Sequence, residues 1–159
     1  MRLRKKSGGF TLIEVLIALV ILAVGLLGMA TLMTSSMQSS QGAYRRSQAS
    51  LLAYDIVERM RFNREQAVTT DDYVLTTTSS TTTEPSCGTG GCTATQQAQL
   101  DMFQWRQALS SALPGAVASI SRSNDFQYQI TIAWDEVGST LKKQDDSTVT
   151  PTFTLRIDL

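Results

Sequence analysis

The chain contains no histidine, which removes both the commonest general base and the commonest zinc ligand. It also lacks the local patterns that assemble chemistry. There is no Gly-x-Gly-x-x-Gly or Gly-Lys-Ser/Thr loop to cradle phosphates, and no Gly-x-Ser-x-Gly elbow. No residues stand at metal-ligand spacing, so the reading is a chain without catalytic centre, metal or cofactor. Net charge is absent as well, because 14 Lys and Arg balance 14 Asp and Glu. Four of those bases (Arg2, Arg4, Lys5, Lys6) precede residue 10, where no acid stands. Without that segment ten bases face 14 acids, a net charge of −4 that offers no general reason to bind nucleic acid. No internal repeat is visible, and 159 residues leave room for one modest domain beyond the N-terminal segment.

Charge is nearly missing from the next run too. Phe10 to Met33 carries a single charged side chain, Glu14, over about 36 Å of helix against a hydrocarbon core of about 30 Å. A carboxylate at that depth costs about 2.5–3.5 kcal/mol even on lenient insertion scales, so it calls for a partner. Four bases precede the run and the next are Arg45 and Arg46. That asymmetry keeps the N-terminus in the cytoplasm and sends the rest across the membrane. A secretory signal would carry its small-residue cleavage site after a shorter apolar stretch. Here Gly8-Gly9 stands before the run, so a cut there leaves the helix on the mature chain. An uncleaved signal anchor is the alternative, and it accounts for neither Gly8-Gly9 nor Glu14.

Gly8-Gly9-Phe10-Thr11-Leu12-Ile13-Glu14-Val15-Leu16-Ile17-Ala18-Leu19 closely resembles the N-terminal signature of type IV pilins and type II secretion pseudopilins. The resemblance implies cleavage after Gly9 by a prepilin peptidase and N-methylation of Phe10. It also implies a salt bridge during assembly between Glu14 and the terminal amine of a neighbouring subunit. The family often has a proline in the middle of this helix; here only Gly25 and Gly28 would soften it. Further blocks follow: Ala53-Tyr54-Asp55-Ile56-Val57-Glu58-Arg59-Met60-Arg61-Phe62-Asn63-Arg64, Trp105-Arg106-Gln107-Ala108-Leu109 with Leu113-Pro114-Gly115, and Ile132-Ala133-Trp134-Asp135. Together they look like the PilV-type minor pilins, the type IV pilus modification group. The implied function is a minor pilin acting in assembly initiation or the tip complex. Its implied partners are other minor and major pilins, the prepilin peptidase and the assembly platform of the inner membrane. The competing resemblance is to the I-type minor pseudopilin of type II secretion.

The expected organisation is a leader at 1–9, a transmembrane assembly helix at 10–33, an amphipathic periplasmic helix at 34–68 and a globular headgroup at 69–159. In the amphipathic part Tyr44, Leu51, Leu52, Ile56 and Met60 form an apolar stripe, with Arg45, Arg46, Glu58, Arg59, Arg61 and Glu65 opposite. Asp55–Arg59 and Arg61–Glu65 stand at ion-pair spacing. Arg59, Arg61 and Arg64 read as a solvated face, or secondarily as a weak anion contact. Signals then break down into a Thr/Ser tract at Thr76–Thr83, with a short strand predicted at Tyr73–Leu75. The tract reads as a solvated loop, with O-glycosylation the compositional alternative. Asp71-Asp72 and Asp145-Asp146 read as solvated turns ahead of weak calcium sites.

Cys87 and Cys92 enclose Gly-Thr-Gly-Gly. Beyond a bacterial inner membrane the compartment is oxidising, so a structural disulfide is the reading and free thiols the alternative. A second helix is predicted from Thr95 to Leu113, ended by Pro114-Gly115 and anchored by Trp105. The period then shifts to two. Phe126, Tyr128, Ile130, Ile132 and Trp134 share one strand face, as do Phe153, Leu155, Ile157 and Leu159. Val117–Ser121 should pair with the first of these across a turn at Ser123-Asn124-Asp125. The fold class is α+β: a long N-terminal helix packed on a small antiparallel sheet of three or four strands, with a second short helix.

Overall fold

The computed structural model describes residues 9–76, 83–123, 126–135 and 150–159. Expectations for the leader, the middle of the Thr/Ser tract, Asn124-Asp125, Gly138 and Asp145-Asp146 lie outside them. The chain divides into two compact units, 1–41 and 42–159.

Helix α1 spans Leu12–Phe62 and begins in the first unit. Its entry is set by the Thr11 carbonyl, which accepts from the amides of Glu14 (3.1 Å) and Val15 (3.3 Å). Glu14 therefore lies in the first turn, where the helix dipole favours an anion. In place of a proline, hydroxyls fold back onto the helix lower down. Thr31 donates to the Leu27 carbonyl (2.9 Å) and Thr34 to that of Ala30 (3.0 Å), so both side chains stay satisfied in an apolar setting.

In the second unit α1 buries Ala49, Ala53, Ile56, Val57 and Met60. The predicted stripe is thus rotated: Ile56 and Met60 are in the core, but Tyr44 and Leu51 are 64% and 60% exposed. Two alanines explain the shift, because small side chains let the helix come closer to the rest of the core than Tyr or Leu would allow. The helix also stops short of residue 68. It ends at Phe62, and Asn63 separates it from α2, Arg64–Thr69. Asn63 leaves helical geometry (φ −111°, ψ 42°) and donates from Nδ2 to the Ala94 carbonyl at 2.8 Å and the Tyr73 hydroxyl at 3.3 Å. Asn competes with the helix in this manner, offering side-chain bonds that a continuous helix would forfeit. The break removes the expected Arg61–Glu65 pair, and Arg61 binds Glu58 at 2.6 Å instead. Asp55–Arg59 forms as predicted, at 3.0 Å.

Helix α3 runs Ala94–Ala112. Its cap is Thr93, two residues ahead of the predicted start, in a reciprocal capping box with Gln96. Gly115 then turns the chain at φ +69°, and a β-carbon there would collide with the Asp135 carboxylate. Strands β1 (Val117–Arg122), β2 (Gln127–Ala133) and β3 (Thr152–Asp158) form one antiparallel sheet in that order. The register aligns Ile120, Ile130 and Leu155, and likewise Ala118, Ile132 and Phe153. Tyr128, Ile130, Ile132 and Trp134 are buried as their spacing predicts. Phe126 is half exposed, lying beyond the sheet under the Arg64 guanidinium, 5.7 Å from the ring centre. The strand predicted at Tyr73–Leu75 is reduced to one bridge, Leu75 to Ile120, with mutual bonds of 2.9 and 2.8 Å.

Candidate functional site

From Ser7 to Ala43 the chain has one ionisable side chain, Glu14. The first unit presents it on an exposed helix whose large apolar residues, Leu12 through Met37, have no cover. Phe10, Glu14, Val15, Ala18, Leu19 and Leu22 line one shallow apolar concavity. Gly9 and Phe10 stand exposed just ahead of the helix. An exposed carboxylate flanked by apolar side chains, near the residue whose amine a cut after Gly9 would free, suits recognition of one cation by packing helices. It suits no bond-making chemistry.

The second unit is organised by a buried acid that the sequence reading passed over. Asp101 is 4% exposed. Its carboxylate accepts from the Tyr73 hydroxyl (2.7 Å) and Gln97 Nε2 (2.9 Å), and lies 3.5 Å from Arg59 Nη1. The same guanidinium binds Asp55 and the Gln104 side chain at 3.0 Å each. A buried charge with fewer partners would be costly; this one is tied to α1, α3 and the segment carrying Tyr73. Next to it Trp105, fully buried, donates from Nε1 to the Leu52 carbonyl of α1 at 2.8 Å. The signal for Asp101 was available: it lies within the buried series Ala98, Met102, Trp105 and Leu109.

Cys87 and Cys92 are joined as a disulfide, with Cα atoms 4.7 Å apart. The turn inside it bonds Gly91 N to the Gly88 carbonyl at 3.0 Å, with Gly91 at φ +95°. Gln96 adds a bond from Nε2 to the Ser86 carbonyl at 3.2 Å. The bridge therefore fixes the residue just before the α3 cap, and with it the helix that delivers Asp101.

Other candidates dissolve into structure. Arg59 is committed to Asp101 and Asp55, Arg61 to Glu58, and Arg64 to the Leu159 carbonyl at 2.9 Å. The three do not make one open cationic surface. Asp71 pairs with Arg122 at 2.7 Å and Asp72 accepts from Gln66. Among the described residues no His/Cys/Asp/Glu group could hold a metal ion.

Burial, reinforced by the bond to Asp101, pushes the Tyr73 phenol well above its ordinary value, and burial raises Tyr128 in the same direction. Both folded values exceed the unfolded value of about 10. The neutral phenols therefore contribute fully below about pH 10, and stability falls as pH rises beyond it. Denaturant midpoints measured against pH should be level through neutrality and drop above about pH 10. The drop should shrink in Tyr73→Phe. An unchanged slope in that variant would clear Tyr73 of the effect.

Two family models match the chain. The prokaryotic N-terminal methylation motif covers residues 4–30, and the model described as Type IV pilin Tt1218 covers residues 31–103. The chain belongs to the type IV pilin-like family. Comparison with curated proteins and with solved structures returned no match. As a pilin the chain is a structural subunit rather than an enzyme. Its long apolar N-terminal helix fits a single-pass, membrane-anchored pilin, and the family implies contacts with other pilins and pilus machinery.

Proposed function

We propose that this pilin is a minor, PilV-type subunit of a type IV pilus. It is inserted with its N-terminus in the cytoplasm and its headgroup in the periplasm. A prepilin peptidase cuts after Gly9 and methylates the new terminus at Phe10. The mature helix then leaves lipid for an initiating or tip complex, where Glu14 pairs with the terminal amine of a neighbour. One observation carries the reading: a single carboxylate in an uncovered apolar helix, four residues beyond the residue that cleavage would make N-terminal. Two opposite charges moved together into an apolar core are tolerable, while either alone is costly.

Two of the blocks behind the PilV-type resemblance meet in the headgroup, which is consistent with it. Gly115 of Leu-Pro-Gly lies against Asp135 of Ala-Trp-Asp, and the Asp135 carbonyl accepts from Arg45 of α1 at 2.8 Å.

The mass of the N-terminal peptide from native membranes, with and without the peptidase, tests processing. The expected result is a peptidase-dependent start at N-methylated Phe10. A chain that keeps Met1, or is cut beyond the apolar helix, would overturn the proposal.

A further inference from the structure

Cys87 and Cys92 are held near each other by contacts that contain no sulfur. Inside the loop Gly91 N donates to the Gly88 carbonyl at 3.0 Å, and the positive φ of Gly91 closes the turn. Across the loop one side chain reaches both flanks. Gln96 Nε2 donates to the Ser86 carbonyl at 3.2 Å, and its Oε1 accepts from Thr93 N at 3.0 Å. Ser86 and Thr93 are the residues immediately outside the two cysteines. Behind the loop the first turn of α3 is tied to the break between α1 and α2. Asn63 Nδ2 donates to the Ala94 carbonyl at 2.8 Å, and Gln66 Nε2 to the Thr95 hydroxyl at 3.0 Å.

The loop is also within reach of solvent. Gly88 to Gly91 are exposed and both cysteines partly so, and an oxidant needs that access. So short a loop closes readily even in an unfolded chain. What an unfolded chain lacks is a fixed direction for the two Cα–Cβ bonds, on which disulfide formation depends. The contacts around Gln96 supply that direction with or without the S–S bond.

We infer that the folded, reduced headgroup holds its own two thiols ready for oxidation, with Gln96 as the positioning residue. The disulfide then forms last, on a chain whose α3 has already docked. The oxidant is another disulfide, carried by a thiol oxidoreductase or by a small molecule such as glutathione disulfide. One cysteine thiolate attacks a sulfur of that disulfide and displaces a thiolate, giving a mixed disulfide. The other cysteine thiolate attacks the sulfur of the first, closing Cys87–Cys92 and displacing the second thiolate. Two electrons pass to the oxidant, and the two protons shed by the cysteines return through water to the released thiolates. Linkage makes the coupling reciprocal: the factor by which folding favours closure is the factor by which closure favours folding.

The full chain in detergent, reduced and then mixed with glutathione disulfide, tests this. Alkylation and mass spectrometry follow closure of the mixed disulfide. The folded chain should close at least about tenfold faster than the same chain in concentrated urea, as two or three local hydrogen bonds allow. The oxidised chain should unfold with an equilibrium constant at least about tenfold smaller than the reduced chain. Equal closure rates, equal unfolding constants, or a reduced chain without a cooperative thermal transition would each overturn the inference. Gln96→Glu keeps an acceptor for Thr93 N and loses the donor to Ser86. It should leave the thermal midpoint of the reduced chain in place and slow closure about fivefold, by the same factor from about pH 7 to 10. Unchanged closure would remove the role given to Gln96. So would a slowing that fades as pH rises, because the new carboxylate would then be acting on thiolate formation.

Discussion

Glu14→Ala leaves the chain inserted in the membrane and abolishes its recovery in pili. The two halves of this expectation have opposite physical signs. Removing the carboxylate spares about 2.5–3.5 kcal/mol of insertion cost, so the precursor enters the bilayer at least as readily as before. In the assembly the neighbour's terminal amine then loses its only proposed counter-charge, and an unpaired buried ion costs about 3–5 kcal/mol. A loss of that size lowers incorporation by more than a hundredfold, below detection for a scarce subunit. Glu14→Gln keeps the shape without the charge and should fail similarly. Membrane fractionation followed by immunoblotting of sheared pili reads both halves at once. Normal incorporation of either variant would end the pairing mechanism.

Trp105→Ala should unfold much of the headgroup. The indole is fully buried, and its Nε1 bonds to the Leu52 carbonyl, joining α3 to α1. Removing a buried aromatic of this size typically costs about 3–5 kcal/mol, a large share of the roughly 5–15 kcal/mol that holds a domain together. Trp105→Phe retains most of the packing and loses the hydrogen bond, so about 1–2 kcal/mol is expected. Thermal unfolding of the full chain in detergent should therefore order the three proteins with Phe nearer to wild type than to Ala. Equal midpoints for Phe and Ala would assign the indole's importance to the hydrogen bond alone. A fall of less than about 1 kcal/mol in Ala would contradict the role given to this contact.

The parts of this fold that were legible in the sequence are those where one strong physical constraint acts alone. A bilayer-length apolar run with a basic leader needs no tertiary context, and neither does the period-two alternation of Tyr128, Ile130, Ile132 and Phe153, Leu155, Ile157. Pro114-Gly115 ended α3 as its chemistry requires, and the short Gly-rich loop did let Cys87 meet Cys92. The misreadings share another cause. Hydrophobicity ranks Tyr44 and Leu51 above Ala49 and Ala53, but burial on α1 was decided by how closely the helix could approach its neighbours. The break at Asn63 depends on side-chain bonds to Ala94 and Tyr73, distant residues that no local window contains. Asp101 did not stand out, because its partners Arg59 and Tyr73 lie 42 and 28 residues away.

At the assembly end the position is reversed. Glu14 stands out at once, since a charge in an apolar run is an anomaly wherever the chain folds. The partner proposed for Glu14 belongs to another chain, so the geometry of one chain supplies the exposed helix and its carboxylate without the contact itself.

The most direct measurement is quantitative mass spectrometry of purified, sheared pili for peptides of this chain against those of the major subunit. The account predicts that the chain is present at a small fraction of the major pilin, with its N-terminal peptide beginning at methylated Phe10. Absence from pili, together with co-purification with type II secretion components, would contradict it and make the chain a pseudopilin.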